Sequence, residues 1–184
     1  MDNGAGSYRR FLDGDDSGFV ELVRDYKDGL ILFFTGFVPD LSAAEELAED
    51  TFVKLGIKRP HFSGRSSFRT WLYAIGRNVA IDRLRKQARR GEVPIDECAE
   101  LSDGQTLEAS YLREERKQTV HKAMQKLKTE YRQVLWLVYF EGFSCAEAAK
   151  ILRKSTHNAE MLLSRARQSL KAELIREGFT DENL

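Results

Sequence analysis

The sequence is poor in the residues that usually build metal and redox chemistry. It has two cysteines in 184 residues, Cys98 and Cys145, far apart and in no C-x-x-C pair. Its three histidines are scattered. A zinc site and a disulfide framework are therefore not expected. Three prolines interrupt the chain, and no apolar run is long enough to cross a bilayer. The N-terminal Met-Asp-Asn-Gly-Ala-Gly has no signal-peptide h-region, so a cytoplasmic address without membrane insertion is expected. No Ser/His/Asp or Cys/His set and no glycine-rich phosphate loop appears. The expectation is a protein with no catalytic residues, no metal and no cofactor, and so not an enzyme.

Net charge is also missing: 29 Lys and Arg balance 29 Asp and Glu. That zero hides a strong segregation. Ten basic residues lie between Lys58 and Arg90, against Asp82 alone. Between Glu92 and Glu115 stand eight acids and only Arg113. Lys150 to Lys171 is basic again, with six Lys or Arg against Glu160. Charge arranged in blocks points to surfaces with different partners.

The periodicity is helical throughout, with almost no strand signal. Phe19, Leu22, Val23, Tyr26, Leu30, Phe33 and Phe37 recur at helical spacing until Pro39. Ser42-x-x-Glu45 reads as a capping box opening a second helix, with Leu47, Ala48, Thr51, Phe52 and Leu55 as its apolar stripe. Ser66 or Ser67 caps a third helix running to about Arg89. From Gly91 to about Thr106 the periodicity stops and Pro, Gly, Asp and Glu accumulate, the mark of a flexible acidic linker. The expected architecture is thus all-α, with two small helical domains over 1–90 and 107–184 joined by a linker over 91–106. The second domain reads as helices over 107–127 and 129–140, then a stop at Gly142 and Ser144 as the next cap. A short helix 145–152, a three-residue turn and a basic helix from Thr156 to about Arg176 form a helix-turn-helix pattern.

The segment GRSSFRTWLYAIGRNVAIDRLRK (64–86) puts arginines and aromatics on one helix. At 100° per residue, Phe68, Trp71, Leu72, Ile75 and Val79 share one face and Arg69, Tyr73 and Arg77 the other. Arginines interleaved with exposed aromatics suit unpaired nucleic acid, with guanidinium groups on phosphates and rings on bases. Trp71 reads as either core or contact. Asn78, on the flank, could bond a base edge or cap a turn.

These residues carry a resemblance. AEELAEDTFVKL (44–55) and the run from Phe62 to Arg85 resemble region 2 of bacterial extracytoplasmic-function (ECF) sigma factors of the sigma-70 family. YRQVL (131–135), FEGFSCAEAAKIL (140–152) and LSRARQSL (163–170) resemble region 4. The resemblance implies a sigma factor that binds core RNA polymerase, through the β′ clamp and β flap, and opens promoter DNA. It assigns Glu49, Asp50, Thr51, Phe52, Lys54 and Leu55 to polymerase docking, although the apolar stripe faces the chain's own core. It assigns Gly64, Arg65, Ser66, Arg69, Tyr73, Arg77, Asn78 and Arg83 to binding and melting the −10 element. It assigns His157, Asn158, Glu160, Met161, Ser164 and Arg165 to the −35 element. An anti-sigma factor is the family's usual regulator. The acidic linker is expected to lie in the polymerase's RNA-exit path.

The chain departs from the family pattern at Leu152-Arg153, where Leu-Gly is frequent, and over Thr156 to Met161. Glu160 in particular could accept from a cytosine amine but cannot hold a phosphate. Two other readings fit parts of the chain: a helix-turn-helix regulator acting on an operator, and a degenerate polymerase-associated scaffold.

Overall fold

A computed structural model describes residues 3–38, 40–90, 119–120 and 122–179. The expected linker and most of the expected 107–127 helix lie outside the described residues. Every regular element among the described residues is helical. Four helices form the first unit: α1 (Asn3–Leu12), α2 (Asp16–Phe34), α3 (Leu41–Lys58) and α4 (Phe68–Arg89). The second holds α5 (Thr129–Leu135), a π-helical turn (Trp136–Phe140), α6 (Cys145–Leu152) and α7 (Thr156–Arg176).

Short polar caps set where the helices start. Asp15 accepts from the Ser17 amide at 3.0 Å and opens α2. Ser67 accepts from the Thr70 amide at 3.1 Å and opens α4, one of the two alternatives expected. The capping box expected on Ser42 is not formed. Asp40 accepts from the Ala43 amide at 3.1 Å instead, and α3 begins at Leu41. A carboxylate two positions earlier satisfies the same orphan donors and adds charge at the positive helix end. In α6 the Ser144 hydroxyl accepts from the Glu147 amide at 3.3 Å. The Glu147 carboxylate in turn accepts from the Ser144 amide at 2.9 Å, a complete capping box.

The core of the first unit is Leu22, Leu30, Phe33 and Phe34 of α2 against Leu47, Leu55 and Leu72, each at most 1% exposed. In the second unit Val134, Leu137, Ala148, Ile151 and Ala159 are fully buried. The helix expected over 129–140 is α-helical only to Leu135. Its last turn widens, and the Glu141 amide donates to the Trp136 carbonyl at 3.1 Å, five residues back. The wider turn leaves Tyr139 and Phe140 on the surface and directs Glu141 toward α4.

The turn between α6 and α7 strains one residue. Arg153 caps α6 at φ 54, in the left-handed region where a Cβ is crowded. Arg153→Gly should raise the stability of the second unit by about 0.5–1 kcal/mol, since glycine removes that crowding but costs more entropy on folding. A urea titration with an unchanged slope and a higher midpoint is the expected result.

Candidate nucleic-acid and polymerase interfaces

The site is built around α4 and the loop before it. Phe68, fully buried, is enclosed by Tyr8, Tyr26, Phe62 and Trp71, with ring centroids 5.4–5.8 Å from its own. Trp71 is therefore a half-buried wall of an aromatic cage, packed on Tyr8 and Phe62 as well. The Tyr8 hydroxyl donates to the Pro60 carbonyl at 2.8 Å and ties α1 to the loop. Burial pushes that hydroxyl up to about 12, against the opposing effect of Arg59, so it remains a donor at neutral pH. Beyond the cage the chain turns at Gly64, whose φ of +71 suits a residue without a Cβ. Gly64 and Arg65 are exposed and Ser66 is half-buried.

The face expected to meet DNA is covered by the second unit. Tyr73, expected outside, is 1% exposed and lies edge-on to Phe143 at 5.1 Å. Its hydroxyl donates to Glu141 Oε2 at 2.7 Å, and burial, then the Glu141 charge, raises its pKa. Arg69 pairs with the same carboxylate and lies over the Phe143 ring at 4.3 Å. Thr70 Oγ1 is 3.4 Å from Glu147 Oε1. Gly29 of α2 makes room for this cluster, because a Cβ there would sit 2.4 Å from the Tyr73 hydroxyl. Arg69 and Arg77 are half-buried rather than free. Arg83 is held by Glu46 and, at 3.7 Å, by Asp50 of α3. Helical spacing placed Phe68 and Leu72 inside as found, but it put Tyr73 outside and Trp71, Ile75 and Val79 in the core face, where they are only half-buried. Partners 68–72 residues away leave no periodic trace.

On α3 the structure corrects three assignments. Thr51, Phe52 and Leu55 are at most 6% exposed, and Thr51 Oγ1 donates to the Leu47 carbonyl at 2.7 Å. They hold the core and cannot touch another protein. Glu49, Asp50 and Lys54 are exposed. Beside them stand Val53 and Ile57, 53% and 72% exposed, which the sequence reading missed. Their signal was present: positions 46, 49, 50, 53 and 57 follow helical spacing opposite the buried stripe. An acidic ring around two exposed aliphatics is suited to a protein partner with a basic, partly apolar surface.

On α7, His157, Asn158, Glu160, Met161, Ser164 and Arg165 are all exposed. Ala159, Leu163 and Ala166, at most 4% exposed, seat the helix on α5 and α6. The Ser155 hydroxyl accepts from the Asn158 amide at 3.2 Å and fixes where the helix begins. The exposed row occupies its first three turns, as expected of a helix that enters a major groove. Among the described residues no cluster of His, Cys, Asp and Glu could hold a metal, and no helix is long and apolar enough to cross a membrane.

Two helical units, one with an aromatic-caged basic helix and one with a helix-turn-helix, define a class of DNA-binding transcription protein. The comparisons specify it. Residues 22–90 match the family model for sigma-70 region 2, and residues 117–170 match that for sigma-70 region 4. The chain is 30% identical over 166 residues to the RNA polymerase sigma-H factor of Pseudomonas aeruginosa, covering 85% of this chain and 86% of that one. It is 30% identical over 162 residues to the ECF RNA polymerase sigma factor SigM of Bacillus subtilis, covering 88% and 98%. The sigma factor RpoE of Bartonella quintana, solved in complex with the anti-sigma factor NepR, aligns with a TM-score of 0.67 at 26% identity, over 88% of this chain and 98% of that one. CnrH, solved with the cytosolic domain of CnrY, gives 0.65 at 26% identity, over 95% and 96%. The chain belongs to the ECF sigma factors of the sigma-70 family. It is an RNA polymerase sigma factor, a protein that directs transcription initiation to promoters.

Proposed function

We propose that α4 and the loop from Phe62 to Ser67 capture and melt the −10 element, while α7 reads the −35 element. The observation that carries this reading is the aromatic cage, which anchors a loop with exposed Gly64 and Arg65 directly before a helix bearing Arg69, Arg77 and Asn78. Extruding a base costs a few kcal/mol, and a rigid loop with edge hydrogen bonds beside it can offset that. Docking on the polymerase β′ clamp falls to Glu46, Glu49, Asp50, Val53, Lys54 and Ile57. The exposed pair Tyr139 and Phe140 suits the β flap. The protein works in the cytoplasm and carries out no chemistry of its own.

Because Arg69 and Tyr73 are packed against Glu141 and Phe143, the arrangement in this structure is a closed one, and regions 2 and 4 must part before promoter binding. An anti-sigma factor would act by holding them together. Reconstituted holoenzyme should give promoter-specific run-off transcripts. Asn78→Ala should reduce strand opening about 10- to 100-fold, the loss of a base-edge contact of about 1–3 kcal/mol, with core-polymerase binding unchanged. Permanganate footprinting of unpaired thymines measures the first and co-sedimentation the second. A protein that gave no run-off product on any genomic fragment would not be a promoter-opening factor.

A further inference from the structure

A cavity of about 530 Å³ lies between the two regions. Region 2 lines it with Lys54 of α3 and with Arg77, Asn78 and Arg85 of α4; region 4 supplies Arg153 and Lys154 from its turn. Five cations thus share one cavity, with Asp82 as the one carboxylate on its lining. Lys154 is paired with Glu130 at 3.0 Å, outside the lining. Lys54, Arg77, Arg85 and Arg153 make no ion pair with a carboxylate among the described residues. Arg77 Nε is buried without a hydrogen-bond partner among them. Its pKa is lowered first by burial and then by the like charge of Arg153, with Glu130 opposing and Arg85 adding to the effect. The cavity is partly open, with Lys54, Arg85 and Arg153 exposed at its walls. Like charges gathered around it repel one another, and an anion that enters relieves that repulsion.

We propose that this cavity binds a compact anion carrying two or more phosphate groups, and that the bound anion holds regions 2 and 4 together. Four cations without ion-pair partners, set against Asp82 alone, exceed what a single phosphate can neutralise, and the three guanidinium groups among them match phosphate geometry. The ligand is a small molecule rather than a promoter strand, because the cavity exists only when the regions are closed. In that state Tyr73 is buried and Arg69 is engaged by Glu141. The site differs from the −10 surface in that two of its five cations, Arg153 and Lys154, come from region 4 and are not used by the promoter reading. The proposal rests on the closed arrangement and not on promoter activity, so run-off transcription and anion binding can fail separately.

The test uses inorganic tripolyphosphate and the full chain. Calorimetry should show saturable binding of about one anion per protein, weakening as salt rises. A dye pair, one on each region, should report closer approach on addition. The double variant Arg153→Asn with Lys154→Gln should bind at least 10-fold more weakly. Arg85→Gln, from the opposite wall, should weaken binding similarly while leaving the fold intact. Absence of binding would overturn the proposal. So would binding indifferent to both walls, which would mark diffuse surface charge. Displacement of the anion by a short single-stranded DNA that also leaves the regions apart would overturn it in favour of a nucleic-acid path.

Discussion

Glu141→Ala should open the protein. Glu141 Oε2 accepts from the Tyr73 hydroxyl at 2.7 Å and also takes the Arg69 guanidinium, so one side chain holds two contacts between regions 2 and 4. Charge-assisted hydrogen bonds contribute about 1.5–3 kcal/mol each, and a buried Tyr73 hydroxyl without an acceptor costs a similar amount. Arg69 is partly in reach of water and recovers some solvation. A net loss on the order of 3 kcal/mol shifts the balance between closed and open forms roughly a hundredfold. Energy transfer between dyes on the two regions should fall, and less holoenzyme should be needed for run-off transcription. Gly29→Ala gives an independent check. Its methyl group would lie 2.4 Å from the Tyr73 hydroxyl, forcing it off its acceptor, and 3.2–3.3 Å from the Glu141 carboxylate of region 4, and so oppose closure. Yet alanine favours an isolated helix by up to about 1 kcal/mol. An open protein whose region 2 is no less stable is a signature that general destabilisation cannot produce. Unchanged energy transfer in both variants would show that this contact does not hold the regions together.

Phe68→Ala should cost the most stability of any single change near the promoter face. The ring is fully buried, and four aromatic neighbours surround it from α1, α2, the preceding loop and α4 itself. Removing a ring from such a cage costs about 3–5 kcal/mol, a large share of the 5–15 kcal/mol typical of a domain. Urea unfolding followed by tryptophan fluorescence should show it, since Trp71 lines the same cage at 5.4 Å. Phe68→Leu keeps most of the volume and should lose about 1.5 kcal/mol or less. At temperatures where both variants are folded, Phe68→Ala should still open promoters poorly, because Phe62 loses one of the two rings, Phe68 and Trp71, that anchor its loop. A Phe68→Ala protein with unaltered unfolding would mean that the cage is not what fixes the loop.

Much of this was legible where the cause is local. Ser144 as a cap, Ser67 as one of two candidates, and the turn from Arg153 to Ser155 are read from spacing because a cap acts within three residues. The apolar stripe of α3 was equally plain, and it conflicted with assigning Thr51, Phe52 and Leu55 to a docking surface. The structure sides with the stripe. Other features have no local cause. The wide turn at Trp136–Phe140 is marked by no period in the sequence, whereas the Asp40 cap was a local signal, three residues from Ala43, passed over in favour of Ser42. The fates of Arg69, Tyr73 and Arg83 depend on carboxylates far along the chain. A helix drawn in isolation shows them as an open basic face, whereas in the folded protein each is already engaged.

The grip of α3 on Arg83 has a consequence for the order of events. A cation of the polymerase clamp that paired with Glu46 and Asp50 would compete with Arg83 for the same carboxylates. Under the proposed docking of α3 on the clamp and of α4 on the −10 element, docking on polymerase and releasing Arg83 to DNA would be two sides of a single ion exchange. Linkage makes the exchange reciprocal: whatever factor polymerase adds to DNA affinity by this route, DNA adds to polymerase affinity. For exposed ion pairs that factor is small, about 1 kcal/mol or roughly fivefold. It runs in the direction that disfavours the free protein on DNA and favours the assembled one.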